Sequence, residues 1–205
     1  MRLFSFVAVS TINLLIGIRY CWQIRRRAIH PSLAMWVFFT IAAVGSLLTY
    51  LGDGQYGLLD NILNTADIVL VGGVALFIAV FGERSSRFTR FDLGCLIAVV
   101  VIMIGWAMTR HHVAAHALIQ AVMLIAYLPV VRRIWTADRN TESFTMWVGL
   151  MLAPIVSLLS GKGTLAWVYA IRASACPAAL LLLMVRAELR SRRAGRSLPA
   201  EGGET

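Results

Sequence analysis

Residues 32–48 read SLAMWVFFTIAAVGSLL, and residues 143–159 read SFTMWVGLMLAPIVSLL. The stretches align without a gap at an offset of 111, with eight of seventeen positions identical. The shared residues include Met35 and Met146, Trp36 and Trp147, Val37 and Val148, Ala42 and Ala153, and Ser46 and Ser157. Hydrophobic helices draw on few residue types, so some coincidence arises by chance. A gapless Met-Trp-Val at constant offset argues instead for an internal duplication.

Around these copies lies a chain of 205 residues, 59% hydrophobic and 14% charged, with a mean hydropathy of +0.76. A soluble domain carries about 25% charged residues, so the deficit implies a surface that faces lipid. About 20 apolar residues cross the hydrocarbon core. Seven segments qualify: 3–21, 33–51, 56–81, 91–109, 113–131, 144–160 and 164–186. Unpaired backbone groups are too costly in lipid, so all seven are expected to be helices. The first run lacks a clear small-residue cleavage site and is followed by Arg25, Arg26 and Arg27. It reads as a mature helix rather than a signal peptide.

Basic residues alternate between loops. The first loop holds Arg25, Arg26 and Arg27, the third Arg84, Arg87 and Arg90, and the fifth Arg132, Arg133 and Arg139. The tail holds Arg186, Arg190, Arg192, Arg193 and Arg196. The loop at 52–57 has no basic residue, the fourth has Arg110 with His111 and His112, and the sixth has Lys162. Arg-rich loops stay in the cytoplasm. The expected protein is thus integral to the plasma (inner) membrane, N-terminus outside and C-terminus inside. The net charge of +9 sits in these clusters, which speaks for topology and against nucleic-acid binding.

The copies at 32–48 and 143–159 place helices 1 to 3 in register with helices 5 to 7. The expected architecture is all-α: two parallel three-helix repeats joined by a linker helix. Repeat one is 1–90, the linker 91–109 and repeat two 110–187, together one transmembrane domain. Residues 188–205 are expected to form an Arg-rich, then disordered, cytoplasmic tail. A three-helix unit ends on the opposite side from its start, and one extra helix turns the chain back. The units then relate by an axis along the membrane normal, a symmetry known among secondary transporters.

Residues 126–135 read AYLPVVRRIW and are followed by Thr141, Glu142, Ser143 and Phe144. With the three-plus-one-plus-three plan, this resembles the PQ-loop and SWEET superfamily, whose best-known members are sugar uniporters. Val130 stands where the name-giving glutamine would be, and Ala43 takes the place that Pro154 holds in the second half. The resemblance implies alternating access, hinge prolines at Pro129 and Pro154, and a solute site lined by helices 3 and 7; Pro177, just past Arg172, frees a backbone carbonyl and is expected to act as a further hinge or kink. In that family each of the two helices contributes a polar residue. Asn64 is the family-like one, and Arg172 aligns with it.

Asp60, Asn64 and Asp67 fall at i, i+4 and i+7, the spacing of one helix face. Asp67 lies roughly 16 Å along its helix and Arg172 roughly 12 Å along the seventh, at 1.5 Å per residue. A charge at that depth costs about 2.5–3.5 kcal/mol, so it persists only beside another charge or a wet cavity. Asp67 and Arg172 are therefore expected to face each other across a central cavity. Tyr169 shares a face with Arg172, and Asn13 and Gln120 lie mid-helix to add hydrogen bonds. Such a lining suits a charged or zwitterionic solute better than a plain sugar. A buried ion pair that only fixes packing is the alternative.

No His-Glu-x-x-His, Gly-x-Ser-x-Gly or phosphate loop is present, so no enzyme is expected. The only lysine is Lys162 in a loop, which excludes a retinal Schiff base. His112 and His116 at i, i+4 lack a third ligand and read as interface residues, so no metal or cofactor is expected. Cys21, Cys95 and Cys176 are far apart and read as packing residues. Trp22, Trp36, Trp135, Trp147 and Trp167 lie near helix ends and read as membrane-interface anchors. The expected partners are the lipid bilayer and a small polar or charged solute, and self-association into a homo-oligomer is open to such a chain.

Overall fold

The computed structural model describes residues 2–29, 31, 33–82, 90–136 and 142–196. Arg84, Arg87, Arg139 and residues 197–205 lie outside them. Every regular element among the described residues is a helix: α1 Arg2–Arg25, α2 Leu33–Leu51, α3 Ile62–Phe81, α4 Arg90–Thr109, α5 His112–Ile125, α6 Leu128–Thr136, α7 Phe144–Ser157 and α8 Gly163–Arg196. A 3-10 turn, Leu58–Asn61, leads into α3.

Six helical stretches are long and apolar enough to cross a membrane, and they correspond to six of the seven expected segments. The exception is α7. Its 14 residues rise only about 21 Å, short of a hydrocarbon core of about 30 Å. Pro154 lies within its last turn, and the chain leaves through a tight turn in which Leu159 and Ser160 bond back three residues. The first and last segments run on instead. They reach Arg25 and Arg196, because a helix has no reason to stop where its apolar run meets water. The fifth is interrupted: α5 ends at Ile125 and α6 begins at Leu128. Pro129 falls in the first turn of α6, where its missing N–H has no partner to lose.

The packing follows a simple rule. The third helix of each half lies against the other two: α3 touches α1 and α2, and α8 touches α7, α5 and α6. Across the halves, α1 packs on α7 and α2 on α5. Exchanging α1 with α5, α2 with α7 and α3 with α8 leaves these pairings unchanged. The duplicated stretches also bury equivalent positions: Trp36 and Trp147, Met35 and Met146, Ala42 and Ala153, Ser46 and Ser157. Leu48 and Leu159 are both exposed. α4 sits at the periphery against α2 and α5 and buries only Cys95 and Val99. Its exposed apolar side chains suit lipid.

Gly149 sets the α1–α7 approach, since a Cβ there would collide with the branched side chain of Ile16. Gly149→Ala is expected to destabilise the fold by about 1–3 kcal/mol, the usual range for overpacking. Thermal denaturation in detergent against wild type measures it, and an unchanged midpoint would show the approach to be loose.

Candidate functional site

α3 carries Asp67 into the middle of the bundle, where α1 and α8 meet it. One carboxylate oxygen accepts from Asn13 Nδ2 at 3.0 Å, and the other from the Tyr169 hydroxyl at 3.0 Å. All three side chains are buried. α8 brings Arg172 to the same place: its Nε donates to Gln120 Oε1 at 2.9 Å, and its guanidinium carbon lies 4.8 Å from the Tyr169 ring centre. Tyr169 therefore touches both charges. Among the described residues, Asp67 and Arg172 form no direct ion pair.

A second network runs from Arg172 into the first half. Gln120 Nε2 donates to Ser46 Oγ at 2.9 Å. Ser46 Oγ lies 3.1 Å from the Asn64 carboxamide. That amide satisfies its neighbours when its nitrogen donates to Ala43 O and its oxygen accepts from Leu47 N–H, both at 3.0 Å, and from the Ser46 hydroxyl. His116 Nδ1 sits 3.2 Å from Ser46 O and 3.3 Å from Thr49 Oγ1. Bonded buried groups of this kind fix helices in register.

Asp67 and Arg172 line one cavity of about 50 Å³ together with Trp36, Phe39, Tyr127, Trp147 and Pro177. It extends toward the starts of α2 and α7, the end that carries the arginine loops. This volume admits a few water molecules, against roughly 300 Å³ or more for a typical ligand pocket. At the other end the bundle is latched. Tyr50 and Tyr56 stack with ring centres 5.1 Å apart, and the Tyr50 hydroxyl donates to Lys162 O at 3.0 Å. Lys162 N–H donates to Asp60 O at 3.0 Å, and its ammonium lies 3.2 Å from Asp60 Oδ1. Gly163 has a φ of +77° and sits so close to Tyr56 that no side chain would fit.

Of the residues singled out in the sequence, Asp67, Arg172, Tyr169, Asn13, Gln120 and Asn64 belong to these two linked networks. Asp60 does not. It lies in the 3-10 turn, so the i, i+4, i+7 face is broken before α3 begins, and its carboxylate serves the latch. Asn64 turns to α2 while Asp67 turns to α1 and α8. Pro154 and Pro177 lie inside α7 and α8, while the side chain of Pro129 is outside the described residues.

Trp36 and Trp147 are not interface anchors. They are 3% and 2% exposed and line the cavity, whereas Trp22, Trp135 and Trp167 are about half exposed. Their placement in the duplicated stretch was the available signal, since a repeat retains its core. His116 is likewise fully buried rather than interfacial, and His112 accepts from Trp106 Nε1 at 2.9 Å. Ser46, also in the duplicated stretch, is the hub that sequence reasoning missed.

Among the described residues, no three His, Cys, Asp or Glu side chains are grouped to hold a metal ion. Cys95 and Cys176 are buried, and all three cysteines are free. In comparisons with known proteins, no family model, no curated sequence and no solved structure matches the chain.

Proposed function

We propose that the chain is a small-solute transporter or facilitator of PQ-loop and SWEET-like architecture, working by alternating access around the Asp67–Arg172 cavity. One observation carries the reading. An acid and a base on corresponding helices line a common cavity that leads toward one end of the bundle and is latched at the other. Two parallel units, α1–α3 and α5–α8 with α4 as linker, rock against each other in this scheme. The exchange-symmetric packing and the equivalent burial of the duplicated stretches support it. Breaks at Ala126–Tyr127, Pro154 and Pro177 supply bending points. With the arginine loops in the cytoplasm, the latch is an outer gate, and the protein sits in the plasma membrane, N-terminus outside.

The small cavity favours a second reading, a receptor, sensor or sorting protein that kept the fold without transport. Proteoliposome swelling with a panel of small solutes separates the two. A transporter gives solute-selective, saturable uptake at least tenfold above empty liposomes. Uptake at the background rate for every solute would leave the receptor reading.

A further inference from the structure

We propose that the central cavity, once widened by the rocking of the two units, takes a small zwitterion carrying a carboxylate and a methylated ammonium group, of the betaine type. This rests on the transporter reading and names the solute class for the same site.

The argument begins with the charges that do not meet. Had Asp67 and Arg172 formed an ion pair, each would answer the other and no ligand would be needed. Instead Asp67 is held by two neutral donors, Asn13 and Tyr169. Arg172 is held by a neutral acceptor, Gln120, and a ring face. A carboxylate offers about four lone-pair sites, and two are used. A guanidinium offers five N–H donors, of which the Gln120 bond uses one. Both charges therefore keep capacity for a partner of opposite sign. A ligand with one charge would answer only half of the site, and a neutral sugar neither half. A ligand carboxylate suits the planar fork of Arg172.

The walls choose the cationic group. Phe39, Tyr127 and Trp147 form a row of rings in the lining, with centres 5.2 and 6.1 Å apart and planes inclined at 62° and 58°. Aromatic faces attract cations, and quaternary ammonium groups most characteristically. A primary ammonium brings three N–H donors. The lining side chains offer only Asp67 and two tyrosine hydroxyls as oxygen acceptors, one of which already donates to Asp67. A trimethylated nitrogen has no N–H to satisfy. The Trp36 indole N–H, buried in the lining without an acceptor, is a further donor for the ligand carboxylate. Its counterpart Trp147 already donates to Glu142 at 3.3 Å.

Titration calorimetry on the full chain in nanodiscs tests this, with glycine betaine, glycine, tetramethylammonium, acetate and glucose as probes. Glycine betaine is expected to bind at least tenfold tighter than glycine, tetramethylammonium or acetate, with no heat from glucose. Arg172→Gln should bring betaine down to the affinity of tetramethylammonium while leaving tetramethylammonium unchanged. Asp67→Asn should bring it down to that of acetate. Such ligand-specific losses do not arise from misfolding, and the wild-type panel stands without the variants. Glycine or glucose binding as tightly as betaine, or no binding by any probe, overturns the proposal. The two readings fail separately. Betaine that binds but does not cross proteoliposomes removes transport and keeps the solute class. Glucose that crosses saturably while betaine neither binds nor moves removes the solute class and keeps transport.

Discussion

Asp67→Asn is expected to lower uptake by roughly 10- to 100-fold while the protein still folds. The removed contact is a charge-assisted one, about 1.5–3 kcal/mol for a group of this kind, and 1.4 kcal/mol is a factor of ten. The amide keeps one oxygen to accept from Asn13 or Tyr169, so the fold loses little. Asp67→Ala separates the two roles. It strips both Asn13 Nδ2 and the Tyr169 hydroxyl of their partner. A buried polar group left unsatisfied costs about 1–3 kcal/mol, so a loss of roughly 2–6 kcal/mol of stability is expected beside the loss of uptake. Initial rates in proteoliposomes and melting midpoints in detergent measure the two. Wild-type uptake by Asp67→Asn would end the proposed role of the carboxylate.

Joining the latch covalently is expected to stop uptake almost completely, below about a tenth of the open rate. Lys162 N–H bonds Asp60 O at 3.0 Å. That contact holds the two Cα atoms near the 4.4–6.8 Å span of a disulfide. A chain carrying Asp60→Cys and Lys162→Cys, with Cys21, Cys95 and Cys176 replaced by alanine, should oxidise readily. It should carry solute only after reduction. Each single cysteine variant should remain active and insensitive to reductant, because one cysteine alone cannot join the two ends. Full uptake by the oxidised protein would mean that this end need not open.

Much of this arrangement was legible in the sequence for a plain reason. Lipid forbids unpaired backbone, so apolar runs of sufficient length were expected to be helices; six of the seven are long enough to cross a membrane, and the sixth run yields only the short α7. The ends were less legible. Nothing in hydropathy marks where α8 stops, because Arg186 to Arg196 continue the same hydrogen-bond ladder past the apolar stretch. Depth in a helix identified Asp67 and Arg172, since charge is expensive there. Direction around the axis was harder. The spacing of Asp60, Asn64 and Asp67 assumes one regular helix, and the 3-10 turn at Leu58–Asn61 rotates Asp60 away. Ser46 was not read as a site residue, and His116 was read as interfacial, because a small hydroxyl or a helix-end histidine is usually satisfied locally or by the interface. Only the packed bundle shows that Ser46 joins Gln120 to Asn64 and that His116 bonds the Ser46 carbonyl beside it.

Ala43 and Pro154 occupy the same place in the two duplicated stretches, 111 residues apart. At Pro154 an amide hydrogen is missing by covalent structure, so that turn of α7 is permanently soft. At Ala43 the backbone N–H is intact, and the Asn64 side chain instead bonds Ala43 O and Leu47 N–H, one turn further along α2. Whatever loosening α2 has at this turn therefore depends on a side chain of α3, whereas that of α7 is written into its own backbone. One helix thus carries its elbow in its own chain, and its counterpart answers to a neighbour.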